Sequence, residues 1–380
     1  MRIIIIGSGP AAVEAALSIR KLDSNAIITI FASEDILPYR RPLLPQMLNG
    51  NFTFERLLIH EQVFYERHRI EIRLNSPVVS IDWPENRVIL SDQTCEYYDK
   101  LLLANGAKAA KLPTAILPDN VPVHQLHNVS DAVNLRKQLD DSSHVLIIGG
   151  GVLGLEIAVQ CLQRQLPVTL VERQKSIMYG VLDESCSNFL QQKMLESYPD
   201  FQICTNCRVQ KVSLSKQSRI ICIVDHGSSE RSFECDCAVQ AVGFAPAATP
   251  WQPAVKTDRI EVDDFMQVKG FNNIFAAGDC VCFPGIRSGS YSTARKMGEI
   301  AGMNLAGKKI KFKLPLSEIR SSAGKFKLYS AGVTSGNNLE TCETIHGNSL
   351  QKLYYRRGKL IGCTLLGDIA AAGELAAQLS

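Results

Sequence analysis

Two short glycine-rich stretches carry the most chemistry in this chain. The first, Gly7-Ser8-Gly9-Pro10-Ala11-Ala12, has the form G-x-G-x-x-A. The second, Gly149-Gly150-Gly151-Val152-Leu153-Gly154, is a full G-x-G-x-x-G. A turn of this kind between a strand and a helix aims backbone N–H groups and the helix dipole at a pyrophosphate. Its first glycine allows the tight turn and its second lets the ligand reach the backbone. A small third residue lets helix and strand pack closely. A lone match says little, whereas a match that follows an apolar strand and opens a helix has the required context. Both stretches have it. Glu172 lies about 20 residues past the second turn, where a carboxylate accepts both ribose hydroxyls and repels a 2′-phosphate. That unit is expected to take NADH rather than NADPH. At the matching place after the first turn stands Ala32, so the nearby acid Glu34 is the expected ribose ligand there.

The elements that must position these turns are legible around them. Residues 2–31 and 144–171 each read as strand, turn, helix, strand, the size of a βαβ unit. The runs Ile3–Ile6, Ile27–Phe31, Val145–Ile148 and Val168–Val171 are apolar throughout, as parallel strands buried on both faces must be. The expected fold class is α/β, with two Rossmann-like doubly wound domains. A later strand, Cys237–Val242, stops at Gly243-Phe244-Ala245-Pro246. Residues 271–279 form a short strand ending in Gly278-Asp279, and a helix is expected from Ser292 to Ala306. The basic, proline-containing segment 307–317 reads as a boundary. Beyond it come β-like runs (Lys325–Tyr329, Gln351–Tyr355, Lys359–Leu366) and a final helix, Asp368–Leu379, which suggest a small α+β domain. The expected division is residues 1–113 with 242–313, then 114–241, then 314–380.

Composition narrows the field. With 380 residues, 46% of them hydrophobic and 21% charged, the chain can bury large cores and is not disordered. A net charge of +3 gives no electrostatic case for nucleic acid. The twelve cysteines are scattered, unlike a small disulfide scaffold. The apolar run Ile3–Ile6 is too short for a signal peptide, and no stretch is long enough to span a membrane. A cytoplasmic protein with reduced thiols is the expectation.

Further motifs carry a resemblance. Leu101–Ala107 (LLLANGA), Ala241–Pro246 (AVGFAP) and Ile274–Cys280 (IFAAGDC) follow the two nucleotide turns in order. With them the chain resembles the FAD- and NAD(P)-dependent pyridine nucleotide-disulfide oxidoreductase superfamily. Pro38–Leu44 (PYRRPLL) is similar to a stretch of rubredoxin reductases and of nitrite reductase flavin modules, and the likeness covers nearly the whole chain. The resemblance implies FAD on the first unit and NADH on the second. It implies FAD contacts from Arg41, Pro42, Asn105, Gly106, Gly278 and Asp279, the last to the ribityl chain. Gly243 belongs to the same set. The helix beginning near Ser292 is implied to face the reduced flavin with its positive end.

Two departures matter. Pro45 and Gln46 stand where relatives carry serine and, often, a lysine. In relatives that lysine pairs with the glutamate that is Glu156 here, so Glu156 needs another partner, such as Arg41, or a protonated carboxyl. Arg41 and Glu156 are the candidate catalytic residues. The other departure is cysteine placement. Disulfide reductases and peroxidases of the superfamily need a cysteine early in the chain, and the first here is Cys95. Cys204-Thr205-Asn206-Cys207 has redox spacing without a helix N-terminus to lower a thiol pKa. Cys235/Cys237 and Cys280/Cys282 read as strand neighbours. No metal site is expected.

Electrons are then expected to leave the flavin directly for a one-electron carrier. An acidic, rubredoxin-like protein could be steered by Arg40, Arg41, Lys308, Lys309, Lys311 and Lys313. Two alternatives stay open: an NADH oxidase or thiol/disulfide reductase using a flavin-proximal cysteine, and a non-catalytic FAD/NADH-binding signalling protein. A monomer and a homodimer are both compatible with the sequence.

Overall fold

The computed structural model describes residues 1–50, 52–227, 229–247, 259–285 and 289–379. The chain forms two compact units. One comprises Met1–Pro42, Thr53–Lys108 and Phe244–Pro315; the other comprises Leu43–Phe52, Ala109–Gly243 and Leu316–Ser380.

The first unit is built on a five-stranded parallel sheet in the order Ile274–Ala276, Lys100–Leu103, Arg2–Ile6, Ile27–Phe31, Ile70–Arg73. Ile3, Ile4 and Ile5 are buried, as are Leu101, Leu102 and Leu103 beside them. Each such side chain contributes about 1.5–3 kcal/mol relative to exposure. Helices Pro10–Leu22 and Tyr291–Leu305 pack against each other. Their contact is backbone to backbone: a Cβ at Gly298 would overlap the Ala11 carbonyl, and one at Gly302 the Ala15 carbonyl. A three-stranded antiparallel ribbon (Val78–Asp82, Arg87–Leu90, Cys95–Tyr97) belongs to the same unit.

The second unit repeats the parallel plan, in the order Phe201–Cys204, Val168–Val171, Val145–Ile148, Cys237–Gln240, Val123–His124. It adds an antiparallel ribbon, Arg208–Leu214, Ile220–His226 and Ser229–Cys235. Its C-terminal part is a five-stranded antiparallel sheet ordered Glu318–Ala323, Phe326–Gly332, Lys359–Gly367, Ser349–Arg356, Glu340–His346, followed by helix Ala372–Leu379.

Several details differ from the sequence reading. The helix expected from Ser292 begins at Tyr291 and is capped by Ser290, whose hydroxyl accepts the Thr293 N–H at 3.2 Å. The last helix starts at Ala372, because Asp368 turns the chain by accepting the Ala370 N–H. The stretch around Cys204 and Cys207 is two strands, broken at Asn206 by a left-handed backbone (φ +53°). Cys235 and Cys237 are not neighbours on one strand; the first ends the antiparallel ribbon and the second starts a parallel strand. Residues Arg41–Leu48 form a 3-10 helix, and Pro45 inside it has no N–H for the bond an α-helix would make there. No helix among the described residues is long and apolar enough to cross a membrane.

Candidate nucleotide-binding turns

Both glycine turns sit where a parallel strand gives way to a helix. Gly7 has φ +103°, and a side chain there would overlap the Ala104 carbonyl. Gly149 has φ +114°, and a side chain would overlap the Ala241 carbonyl. The second unit is tighter still, since a Cβ at Gly154 would overlap the Gly149 carbonyl. Only glycine fits these positions. Gly9 and Gly151, by contrast, are the N-caps of their helices and have open space where a Cβ would point.

The capping pattern separates these helices from three of the others. Helices Val129–Asp140, Glu184–Ser197 and Tyr291–Leu305 are capped by the side chains of Asn128, Asp183 and Ser290. Helices Pro10–Leu22 and Val152–Gln163 have no side-chain cap and no acid in the first turn. Their first N–H groups point into open space beside a glycine, which suits an anion. The pyrophosphates of FAD and NADH fit these two places. Pro10 at the first helical position costs no hydrogen bond, because its missing N–H would have been unpaired.

Other residues of the first unit fit a nucleotide there. Gly278 (φ +88°) places its α-carbon beside Ala11 and Ala294, between the starts of the two packed helices. Asp279 next to it accepts the Gly289 N–H at 2.8 Å, and burial pushes its carboxyl upward against that bond. Asn105 donates to the Ala247 carbonyl at 3.1 Å while its Oδ1 is buried with no hydrogen-bond partner. That acceptor is suited to a hydroxyl or N–H of a bound group. Gly106 (φ +69°) follows it.

Glu34 and Arg41 are held together. Arg41 Nη2 donates to Glu34 Oε1 at 2.6 Å, and the Tyr39 hydroxyl donates to Oε2 at 2.7 Å. Glu34, the expected ribose ligand, is thus half of an ion pair. Pro42 beside it is exposed. Arg40 spends its guanidinium on the carbonyls of Leu58 and Ile59, which makes it a loop anchor rather than a surface charge. Lys308, Lys309, Lys311 and Lys313 are exposed, and Lys311 pairs with Asp264 at 3.0 Å.

In the second unit Glu172 is 9% exposed, and both carboxylate oxygens are placed. Oε2 accepts the Gly150 N–H at 2.6 Å and Oε1 the Gln174 N–H at 2.7 Å. Its main chain is bound to the Cys204–Cys207 turn: Glu172 N–H donates to the Cys204 carbonyl, and Cys207 N–H to the Glu172 carbonyl. Gly243 has φ +109° just past the strand Cys237–Gln240. Glu156 accepts the Ser321 hydroxyl at 2.6 Å, and burial pushes its carboxyl up to about 7. Ser321 was not visible as a partner from the sequence.

The thiols are quiet. Cys204 and Cys207 are 7% and 1% exposed within an apolar cluster, and burial raises both, with Arg231 opposing. Cys280 donates to the carbonyls of Leu103 and Ala277 and is pushed up to about 12 by burial. Cys282 is exposed. Among the described residues, no group of three or more His, Cys, Asp or Glu side chains could hold a metal ion.

Two parallel sheets, each ending in an uncapped glycine turn, define a class: a two-nucleotide oxidoreductase fold. Residues 1–299 match the family model described as pyridine nucleotide-disulphide oxidoreductase, and the chain belongs to that family, whose members bind FAD and NADH. It is 31% identical over 290 residues to a rhodocoxin reductase of Rhodococcus erythropolis, spanning 75% of this chain and 66% of that one. It is 27% identical over 395 residues to a rubredoxin-NAD(+) reductase of Ectopseudomonas oleovorans, spanning 100% and 99%. The crystal structure of a ferredoxin reductase from Rhodopseudomonas palustris, for the CYP199A2 system, superposes with a TM-score of 0.85. That pair shares 26% identity over 98% of this chain and 92% of the other.

Proposed function

We propose that the protein takes a hydride from NADH and passes the electrons one at a time to a small acidic carrier protein of the rubredoxin type. The observation that carries the reading is the pair of uncapped glycine turns, one per unit, with the motif cysteines buried as protonated thiols. FAD, when bound, accepts a hydride and releases its electrons singly. The domain roles proposed are residues 1–113 with 242–313 for FAD, 114–241 for NADH, and 314–380 as the small C-terminal α+β domain. The unit boundaries after Lys108, Gly243 and Pro315 support the limits of the FAD part, while Leu43–Phe52 and the C-terminal part fall in the second unit.

In this reading Gly7, Gly9, Pro10, Ala11 and Ala12 hold the FAD pyrophosphate. Asp279 and Gly278 bind its ribityl chain, Asn105 and Gly106 supply further polar contacts, and the Glu34–Arg41–Pro42 segment lies along the nucleotide. The N-terminal end of helix Tyr291–Leu305, including Ser292, stabilises negative charge on the ring. Gly149, Gly151 and Gly154 hold the NADH pyrophosphate, Glu172 holds its ribose, and Gly243 leaves room for its nicotinamide end. Glu156 acts from the helix that follows the turn. Positioning supplies most of the catalysis. A reduced, cytoplasmic setting agrees with twelve free cysteines.

The test is anaerobic mixing of the yellow protein with NADH and with NADPH, then a panel of rubredoxin, ferredoxin, cytochrome, O2, peroxide and disulfides. Rapid bleaching by NADH and turnover with the iron–sulfur carriers are expected, unchanged when Cys204 and Cys207 are both replaced by serine. Absence of bound FAD overturns the reading, and so does turnover with disulfide or peroxide that vanishes in the double variant.

A further inference from the structure

Among the described residues of the second unit no cation pairs with Glu156, and the residue that does meet it comes from the C-terminal sheet. Ser321 lies on strand Glu318–Ala323, which packs against helix Val152–Gln163. Period-two alternation puts Ile319 and Ser321 on one face of that strand and Arg320 and Ser322 on the other. The approach depends on Gly324 (φ +63°) at the end of the strand. A side chain there would overlap the Tyr198 hydroxyl and press on Val159 of the same helix. The hairpin is therefore fixed close to the helix, and the Ser321 hydroxyl reaches Glu156 Oε1 at 2.6 Å. Gln46, which stands where relatives often carry a lysine, is exposed.

The charged groups on neighbouring elements are committed elsewhere. Glu318 accepts the Tyr329 hydroxyl at 3.1 Å, and the Arg320 guanidinium lies 4.6 Å from the centre of the Tyr329 ring. Arg164, just past the end of the helix, binds Asp140 and the Leu48 carbonyl. Strands Val145–Ile148 and Val168–Val171, which also pack on the helix, carry no titratable side chain. Among the described residues of the second unit, the group bonded to the carboxyl is a neutral hydroxyl.

We propose that Ser321 is a positioning residue for Glu156: it fixes Oε1 and leaves Oε2 to gain or lose a proton, so that Glu156 handles NADH as a neutral acid or as an anion. A neutral Glu156 can both donate to and accept from an amide of the substrate, whereas the anion can only accept. The NADH half of this rests on the function proposed above. Removing the Ser321 donor takes away the one interaction that favours the anion, so ionisation of Glu156 must shift to higher pH.

The experiment follows the protonated-carboxyl infrared band of the purified enzyme against pH, alongside the pH profile of KM for NADH. In the wild type both should change with a midpoint near neutrality. Glu156→Gln should abolish the band and the KM step together. Ser321→Ala should move both midpoints up, with the ionisation constant changed about tenfold, and Ser321→Thr should restore them. An unmoved band in Ser321→Ala overturns the pairing. A moved band with an unmoved KM profile overturns the role in NADH handling. If the wild type oxidises no NADH at all, the function fails instead, and the band still decides the Glu156–Ser321 pair.

Discussion

Glu172 shows how much a single carboxylate can be prepared before any ligand arrives. Its oxygens bridge the Gly150 and Gln174 N–H groups, and its main chain is bonded to the Cys204–Cys207 turn. Little ordering entropy remains to be lost when a ribose diol binds such a fixed acceptor. Replacing Glu172 by alanine should lower kcat/KM for NADH by about 10- to 100-fold, the loss of hydrogen bonds to a charged group. The same change removes the charge that repels a 2′-phosphate, so the NADH/NADPH ratio should fall further than stability does. Steady-state kinetics with both nucleotides check this, and an unchanged ratio would remove Glu172 from the site. Spacing after the glycine turn singles this residue out for the proposed role, because strand and helix lengths set that distance. The bonds that pin it were not legible: its carboxylate is held from 22 positions before and 2 after, and its main chain by a later turn whose sequence looked like a redox motif. Glu34, chosen as the acid nearest to the position that Ala32 holds, is bonded to Arg41 and Tyr39, a pairing that spacing does not reveal.

At the scale of elements, what was legible was local. The strands announced themselves as unbroken apolar runs, and the turns as glycines that the backbone needs for positive φ and close approach. Gly154 carries this furthest, because its α-carbon lies against the Gly149 carbonyl. Gly154→Ala should force that helix away from its strand and raise KM for NADH by an order of magnitude or more. FAD content should be unaffected, since Gly7 and Gly9 belong to a different sheet. Flavin absorbance per chain and NADH titration separate the two effects, and loss of both cofactors together would show that the turns are not independent. Less legible were features that depend on a partner element. Gly298 and Gly302 are needed only because helix Pro10–Leu22 lies on them, which no local pattern announces. Helix Tyr291–Leu305 starts one residue before the expected Ser292 and is capped by Ser290, a boundary that propensity alone does not fix.

At the largest scale the C-terminal sheet belongs to the second unit, and a charged cluster shows what holds it there. Lys352 on strand Ser349–Arg356 is 8% exposed and donates to Asp183 (2.8 Å), Glu343 (3.0 Å) and the Ser185 hydroxyl (2.7 Å). Asp183 in turn caps helix Glu184–Ser197 and accepts the Tyr354 hydroxyl. The bonds from Lys352 and Tyr354 to Ser185 and Asp183 were not readable from sequence, because the partners lie 167 and 171 residues apart. Burial alone would push Asp183 up, but the Lys352 ammonium and the Cys186 N–H outweigh it and hold the carboxyl low. Glu343 is held low chiefly by the Ser185 hydroxyl, with Lys352 adding to it. Acids depressed in the folded chain stabilise it above their ordinary values, near 4, and lose that contribution as pH falls through the lower folded values. Lys352→Met keeps the volume and leaves two carboxylates without their cation. It should cost about 2–3 kcal/mol at neutral pH, short of the roughly 3–5 kcal/mol of a fully buried pair because both acids still reach water. The gap from wild type should be widest from about pH 5 upward and close in acid, where both carboxylates are protonated in either chain. Urea unfolding across that range measures it; a loss of equal size at every pH would mean that Lys352 acts through packing rather than charge.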